Sequence, residues 1–125
     1  MSSRLTPASF WILTALSTER RHGYDILLDV EKASGGDVSL KVPTLYAALE
    51  RLERSGLVAR DGDEIVNGRA RRYFRLTDDG EARLTAEAAE LERQLALVRQ
   101  RLAASASAAP RPRPLAGGAL GVVGA

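Results

Sequence analysis

Apolar positions recur along the chain with two different periods, and each change of period marks an element boundary. In LTPASFWILTALSTE, Phe10, Leu13 and Leu16 stand at helical spacing with Trp11 and Ile12 beside them. Thr6 is a good N-cap residue and Pro7 suits a first helical position, so the pattern predicts a helix over about 6–18. HGYDILLDVEKASGG puts Leu27, Val30 and Ala33 on one stripe, with Tyr24 and Ile26 alongside, and Gly35-Gly36 ends that second helix. DVSL is a short extended connector. In KVPTLYAALERLERSG, Leu45, Ala48, Leu49 and Leu52 form the buried stripe of a third helix. Pro43 fits its first turn and Gly56 its end. LVARDGDEI and RARRYFRLT then read as two strands joined through Asn67-Gly68, a hairpin signal.

The second strand is the most informative stretch. Arg69, Arg71, Arg72 and Arg75 fall within seven residues, interleaved with Tyr73 and Phe74, and no acid interrupts them. By strand alternation Phe74 and Leu76 share a face with Arg72 and Ala70, while Arg71, Tyr73 and Arg75 share the other. Phe74 and Leu76 therefore anchor the strand to a core, and the arginines near its start are left for phosphate oxygens. Thr77 then caps a last helix, with Asp78 and Asp79 in its first turn, where the helix dipole favours carboxylates.

That last helix has a different periodicity. Leu84, Ala88, Leu91, Leu95, Val98 and Leu102 are separated alternately by four and three residues, an a/d seam over about three heptads. A helix from 78 to 102 would be about 37 Å long at ~1.5 Å per residue, too long for so small a domain to cover. A second copy of the chain is the expected cover, making these six residues a dimerisation seam. After Ser105, Pro, Gly and Ala dominate and periodicity disappears, which predicts a flexible tail. The expected organisation is a first domain over 1–77, a C-terminal dimerisation helix over 78–104 and a tail over 105–125.

Three helices followed by a hairpin give a mainly α fold with a small β-hairpin, a winged helix-turn-helix extended by a long C-terminal helix. Helix 3 is then the element that enters a DNA major groove, and the hairpin is the wing that touches flanking backbone. The expected DNA contacts are Lys41, which precedes helix 3, Thr44, Tyr46, Ala47 and Arg51, which lie off its apolar stripe, and the wing residues Arg69, Arg71 and Arg72.

Composition narrows the function classes. The net charge is +2 over 125 residues, residues 1–80 and 81–102 are each neutral, and the surplus is Arg111 and Arg113. Any nucleic-acid footprint must come from clustering rather than from total charge. The chain has no cysteine, which removes disulfides, thiol catalysis and cysteine metal sites. No cleavage pattern follows Trp11–Leu16, and no apolar run approaches the ~20 residues of a membrane span. The expectation is a cytoplasmic protein with no membrane role. The one histidine, His22, has no nucleophile or acid partner apparent in sequence and reads as structural. No enzyme activity, metal or cofactor is expected.

HGYDIL at 22–27, PTLYAALERLERSGLV at 43–58 and GRARRYFRLTDDGEARL at 68–84 together resemble the PadR family of bacterial transcriptional regulators. The resemblance covers about residues 5–102 and implies a repressor that dimerises through its C-terminal helix and binds a near-palindromic operator, as in the short subgroup of the family. It leaves room for a small-molecule effector of unspecified chemistry. Some relatives place a tryptophan in the C-terminal helix to hold planar ligands; Trp11 stands in helix 1, so that mode is not carried over. Pro43 stands where the family often has Gly or Ala, and Glu50 where it often has a basic residue. Glu50 and the balanced charge motivate a rival reading, a winged-helix module that binds proteins without reading DNA sequence.

Overall fold

The computed structural model describes residues 4–107. Its elements are α1 (Pro7–Ala15), β1 (Arg21–His22), α2 (Gly23–Ala33), α3 (Val42–Arg54), β2 (Val58–Val66), β3 (Arg69–Leu76) and α4 (Asp78–Ser107). The strands form an antiparallel sheet in the order β1-β3-β2. This is the winged-helix arrangement followed by a long helix, as the periodicity predicts.

Local chemistry explains most boundaries. The Thr6 side chain accepts from the Ser9 N–H and caps α1, with Pro7 in the first turn. Asn67 and Gly68 both take positive φ, at 53° and 75°, the conformation of a two-residue hairpin turn. Thr77 works at both ends of a junction: its hydroxyl donates to the Gly56 carbonyl at 2.6 Å and accepts from the Gly80 N–H at 2.9 Å. Gly80 is buried against the Leu57 carbonyl, where a Cβ would collide with backbone. The start of α4 is thus fastened to the loop between α3 and β2.

Two features escape the period. β1 is a two-residue strand, too short to show an alternation, with Arg21 opposite Phe74 and His22 opposite Tyr73. β2 breaks register with β3 between Arg60 and Asp63, where Gly62 has φ 88°.

The core joins Ile12, Leu13, Ala15 and Leu16 of the α1 region to Ile26 and Val30 of α2, to Leu45, Ala48, Leu49 and Leu52 of α3, and to Val58 and Phe74 of the sheet. The α3 stripe is therefore the predicted one. In α1, Ile12 and Leu13 are buried, while Phe10 and Trp11 are half-buried and meet edge to face at 5.0 Å. That short helix is apolar nearly all round, so spacing alone does not select its inner face. Burying Phe74 contributes about 1.5–3 kcal/mol and fixes the base of the wing.

The chain divides into two compact units at Leu91 and Glu92, within α4. In the first, Leu84 packs on the three-helix core, and buried Glu87 accepts from the Arg4 guanidinium at 2.8 Å. In the second, the described part is the remainder of α4 to Ser107, past the 104 boundary expected from sequence. The Pro-rich stretch from 108 onward, including Arg111 and Arg113, lies outside the described residues.

Arg21 ties three segments together. Its guanidinium donates to the Ala15 carbonyl at 2.6 Å and to the Asp25 carboxylate at 3.2 Å, with Glu19 and Asp29 at 3.6 and 3.9 Å. The side chain is 16 % exposed, so its loss would leave a half-buried carbonyl and three carboxylates without their common partner. Arg21→Ala should lower unfolding free energy by about 2 kcal/mol. Urea denaturation followed by circular dichroism measures it; an unchanged midpoint would contradict this assignment.

Candidate nucleic-acid interface

The outward side of α3 is built by the same periodicity that buries its inner side. With Leu45, Ala48, Leu49 and Leu52 packed inward, Thr44, Ala47, Glu50, Arg51 and Arg54 are all exposed. Lys41 occupies the N-cap position without a side-chain capping bond and is exposed as well. Five of the sequence-predicted contacts thus lie on or beside one helix, counting Tyr46, which is 39 % exposed.

Tyr46 is more constrained than its spacing suggests. Its hydroxyl lies against Gly23, where any Cβ would collide with it, and its ring sits 6.4 Å from that of Phe74. The glycine of HGYD is therefore required by a side chain 23 positions away. Tyr46 wedges α3 between the start of α2 and the root of the wing.

The predicted wing residues Arg69, Arg71 and Arg72 are exposed along the first half of β3. They line one concave surface together with Tyr46, His22, Gly23 and Tyr24. No carboxylate lines it, so the local field there favours an anion. Arg72 has an acid nearby, Asp63 across the hairpin, at 4.0 Å. Tyr24, which spacing on α2 sets alongside the helix stripe, is 63 % exposed and a member of this surface.

The wing is braced from its base by residues that periodicity does not single out. The Arg20 guanidinium lies 4.1 Å over the Tyr73 ring and donates to the Asp61 carbonyl at 2.9 Å. The Tyr73 hydroxyl donates to Glu64 at 2.7 Å. That hydrogen bond, then burial, then the charge on Glu64 hold the Tyr73 phenol pKa above its ordinary value. His22 packs edge-on against Tyr73 at 5.5 Å, and its Nδ1 accepts from the Asp25 N–H at 3.3 Å, capping α2.

On α4 the exposed members of the predicted seam are Ala88, Leu91, Leu95, Val98 and Leu102, with Leu91 at 43 % and Leu102 at 65 %. Leu84, the first of the series, differs, because it packs on the core of its own unit. Leu97, off the predicted seam, is exposed too. Among the described residues no helix is long and apolar enough to cross a membrane, and no cluster of acids and histidine is placed to hold a metal ion.

Comparison with known proteins matches residues 12–86, from α1 to the first turns of α4, to the model of the transcriptional regulator PadR-like family. The chain belongs to the PadR-like family of transcriptional regulators. That membership places it with regulators of transcription, not with enzymes. A transcriptional regulator of Mycobacterium tuberculosis is 39 % identical over 82 residues, covering 66 % of this chain and 60 % of that protein. The crystal structure of a PadR family transcription regulator from Clostridium difficile is similar with a TM-score of 0.64 and 26 % identity, covering 78 % of this chain and 99 % of that one. Bacillus subtilis PadR, solved in complex with operator DNA, is similar with a TM-score of 0.56 and 25 % identity. That likeness covers 62 % of this chain and 44 % of the Bacillus chain. All the sequence-predicted DNA contacts of this PadR-family chain fall inside the family match; of the predicted seam, Ala88, Leu91, Leu95, Val98 and Leu102 fall beyond it.

Proposed function

We propose that this PadR-family chain is a homodimeric repressor that binds a near-palindromic operator, with α3 in the major groove and the wing on flanking backbone. The observation that carries this reading is the joint exposure of the outer side of α3 and of Arg69, Arg71 and Arg72 beside it. One element offers side chains to base edges and the other offers guanidinium groups to phosphate. Lys41 at the start of α3 and Arg51 on it take phosphate; Thr44, Tyr46 and Ala47 face bases. The solvent-exposed apolar positions of α4 supply the dimer contact. Two copies then present two α3 helices to two half-sites related by the same two-fold axis. A small-molecule effector would act by binding one dimer geometry better than another.

Thr44→Ala should relax base discrimination at one position of each half-site, by about 1–3 kcal/mol, and leave the salt dependence of binding unchanged. Competition titration of a specific duplex against single-base variants, at several salt concentrations, reads both quantities. If the wild-type chain binds specific and scrambled duplexes equally, the DNA-reading function is wrong and the protein-interaction reading replaces it.

A further inference from the structure

Glu50 is out of place on a surface that faces phosphate. At about 100° per residue it stands roughly opposite the buried stripe of α3, in the middle of the outward side with Ala47 and Arg54. Its side chain is 72 % exposed. The neighbouring acid, Glu53, is half-buried and engaged by Arg60 of β2 at 3.4 Å, so its charge is met within the fold. Glu50 has Arg54 one turn on at 3.8 Å, an ion-pair distance outside hydrogen-bond range, with both side chains mostly in solvent. Its carboxylate lone pairs are thus turned outward.

We propose that Glu50 selects cytosine at one position of each operator half-site. This inference rests on the proposed placement of α3 in the major groove. An ionised carboxylate only accepts hydrogen bonds. Guanine offers N7 and O6 in the major groove and thymine offers O4, all acceptors that repel it. Adenine offers the N6 amino group beside the N7 acceptor, so a carboxylate meets one favourable and one unfavourable edge. Cytosine offers the N4 amino group without that N7 acceptor, and it is the base whose edge suits Glu50. The same carboxylate repels phosphate on every duplex, and only the matching cytosine offsets that loss. Glu50 thereby trades general affinity for discrimination.

The test uses the full chain and a randomised duplex pool, selected in parallel by wild type, Glu50→Gln and Glu50→Ala. Both substitutions are on an exposed site, so folding is checked by circular dichroism and expected to match wild type. Glutamine keeps the side-chain length but both donates and accepts, which suits the N6 and N7 pair of adenine. Wild type should enrich a motif with a cytosine in each half-site that Glu50→Gln converts to adenine and Glu50→Ala leaves unselected, a change of about tenfold in relative affinity at that position. Both variants should also bind scrambled duplex more tightly than wild type. Identical motifs from all three proteins would overturn the role of Glu50 while leaving DNA reading intact. Binding by wild type without enrichment of any motif would overturn the placement of α3 itself, and this inference with it.

Discussion

A chain carrying both Leu91→Asp and Leu95→Asp should be a folded monomer. Both leucines are about half exposed and stand one helical turn apart on α4, and neither belongs to the winged-helix core. In a dimer each substitution occurs in both copies, so four carboxylates would enter one apolar seam without partners. Each unpaired charge removed from water costs several kcal/mol. A total of even ~6 kcal/mol raises the dimer dissociation constant by more than four orders of magnitude. The winged-helix core lacks both residues, so its circular dichroism should be retained. Light scattering should report the mass of one chain, and operator affinity should fall because a single copy reaches one half-site. A double variant that keeps the mass of a dimer would remove this seam from the interface.

The second large effect is on electrostatics. Arg71 is exposed on the wing, in a concave surface lined by arginines and no carboxylate. If it holds a phosphate, Arg71→Ala removes one such contact from each copy of the proposed dimer. The log–log dependence of affinity on salt should flatten by roughly 1.8, at about 0.9 for each phosphate contact on duplex DNA. Specific and scrambled duplexes should be weakened by similar factors, because phosphate carries no base identity. Thr44→Ala is expected to do the reverse, so the two variants separate base reading from backbone holding. An unaltered salt slope for folded Arg71→Ala would make the wing a solvated hairpin.

The helices, the hairpin and its turn are legible because each has a local signal: a cap, a proline, an Asn-Gly pair or a 3.6-residue stripe. The α3 stripe is the clearest case, and its exposed complement is the side proposed to face DNA. What spacing does not reveal depends on contacts between distant segments. The Tyr46–Gly23 approach, the Arg20–Tyr73–Glu64 brace and the Arg21 cluster each join residues that only the folded chain brings together. β1 is invisible for another reason, since two residues carry no period. Leu84 shows the limit of a heptad pattern. Its spacing continues the seam, but the fastening of α4 through Thr77 and Gly80 brings it onto its own core.

Footprinting on the DNA upstream of the chain's own gene tests most directly whether it reads sequence as a two-fold dimer. The wild-type chain should protect two half-sites of inverted sequence, with centres about one helical turn, ~10 base pairs, apart or a multiple of it. Protection that appears only at concentrations where scrambled duplex is covered equally, or one protected half-site without its inverted copy, would contradict that function.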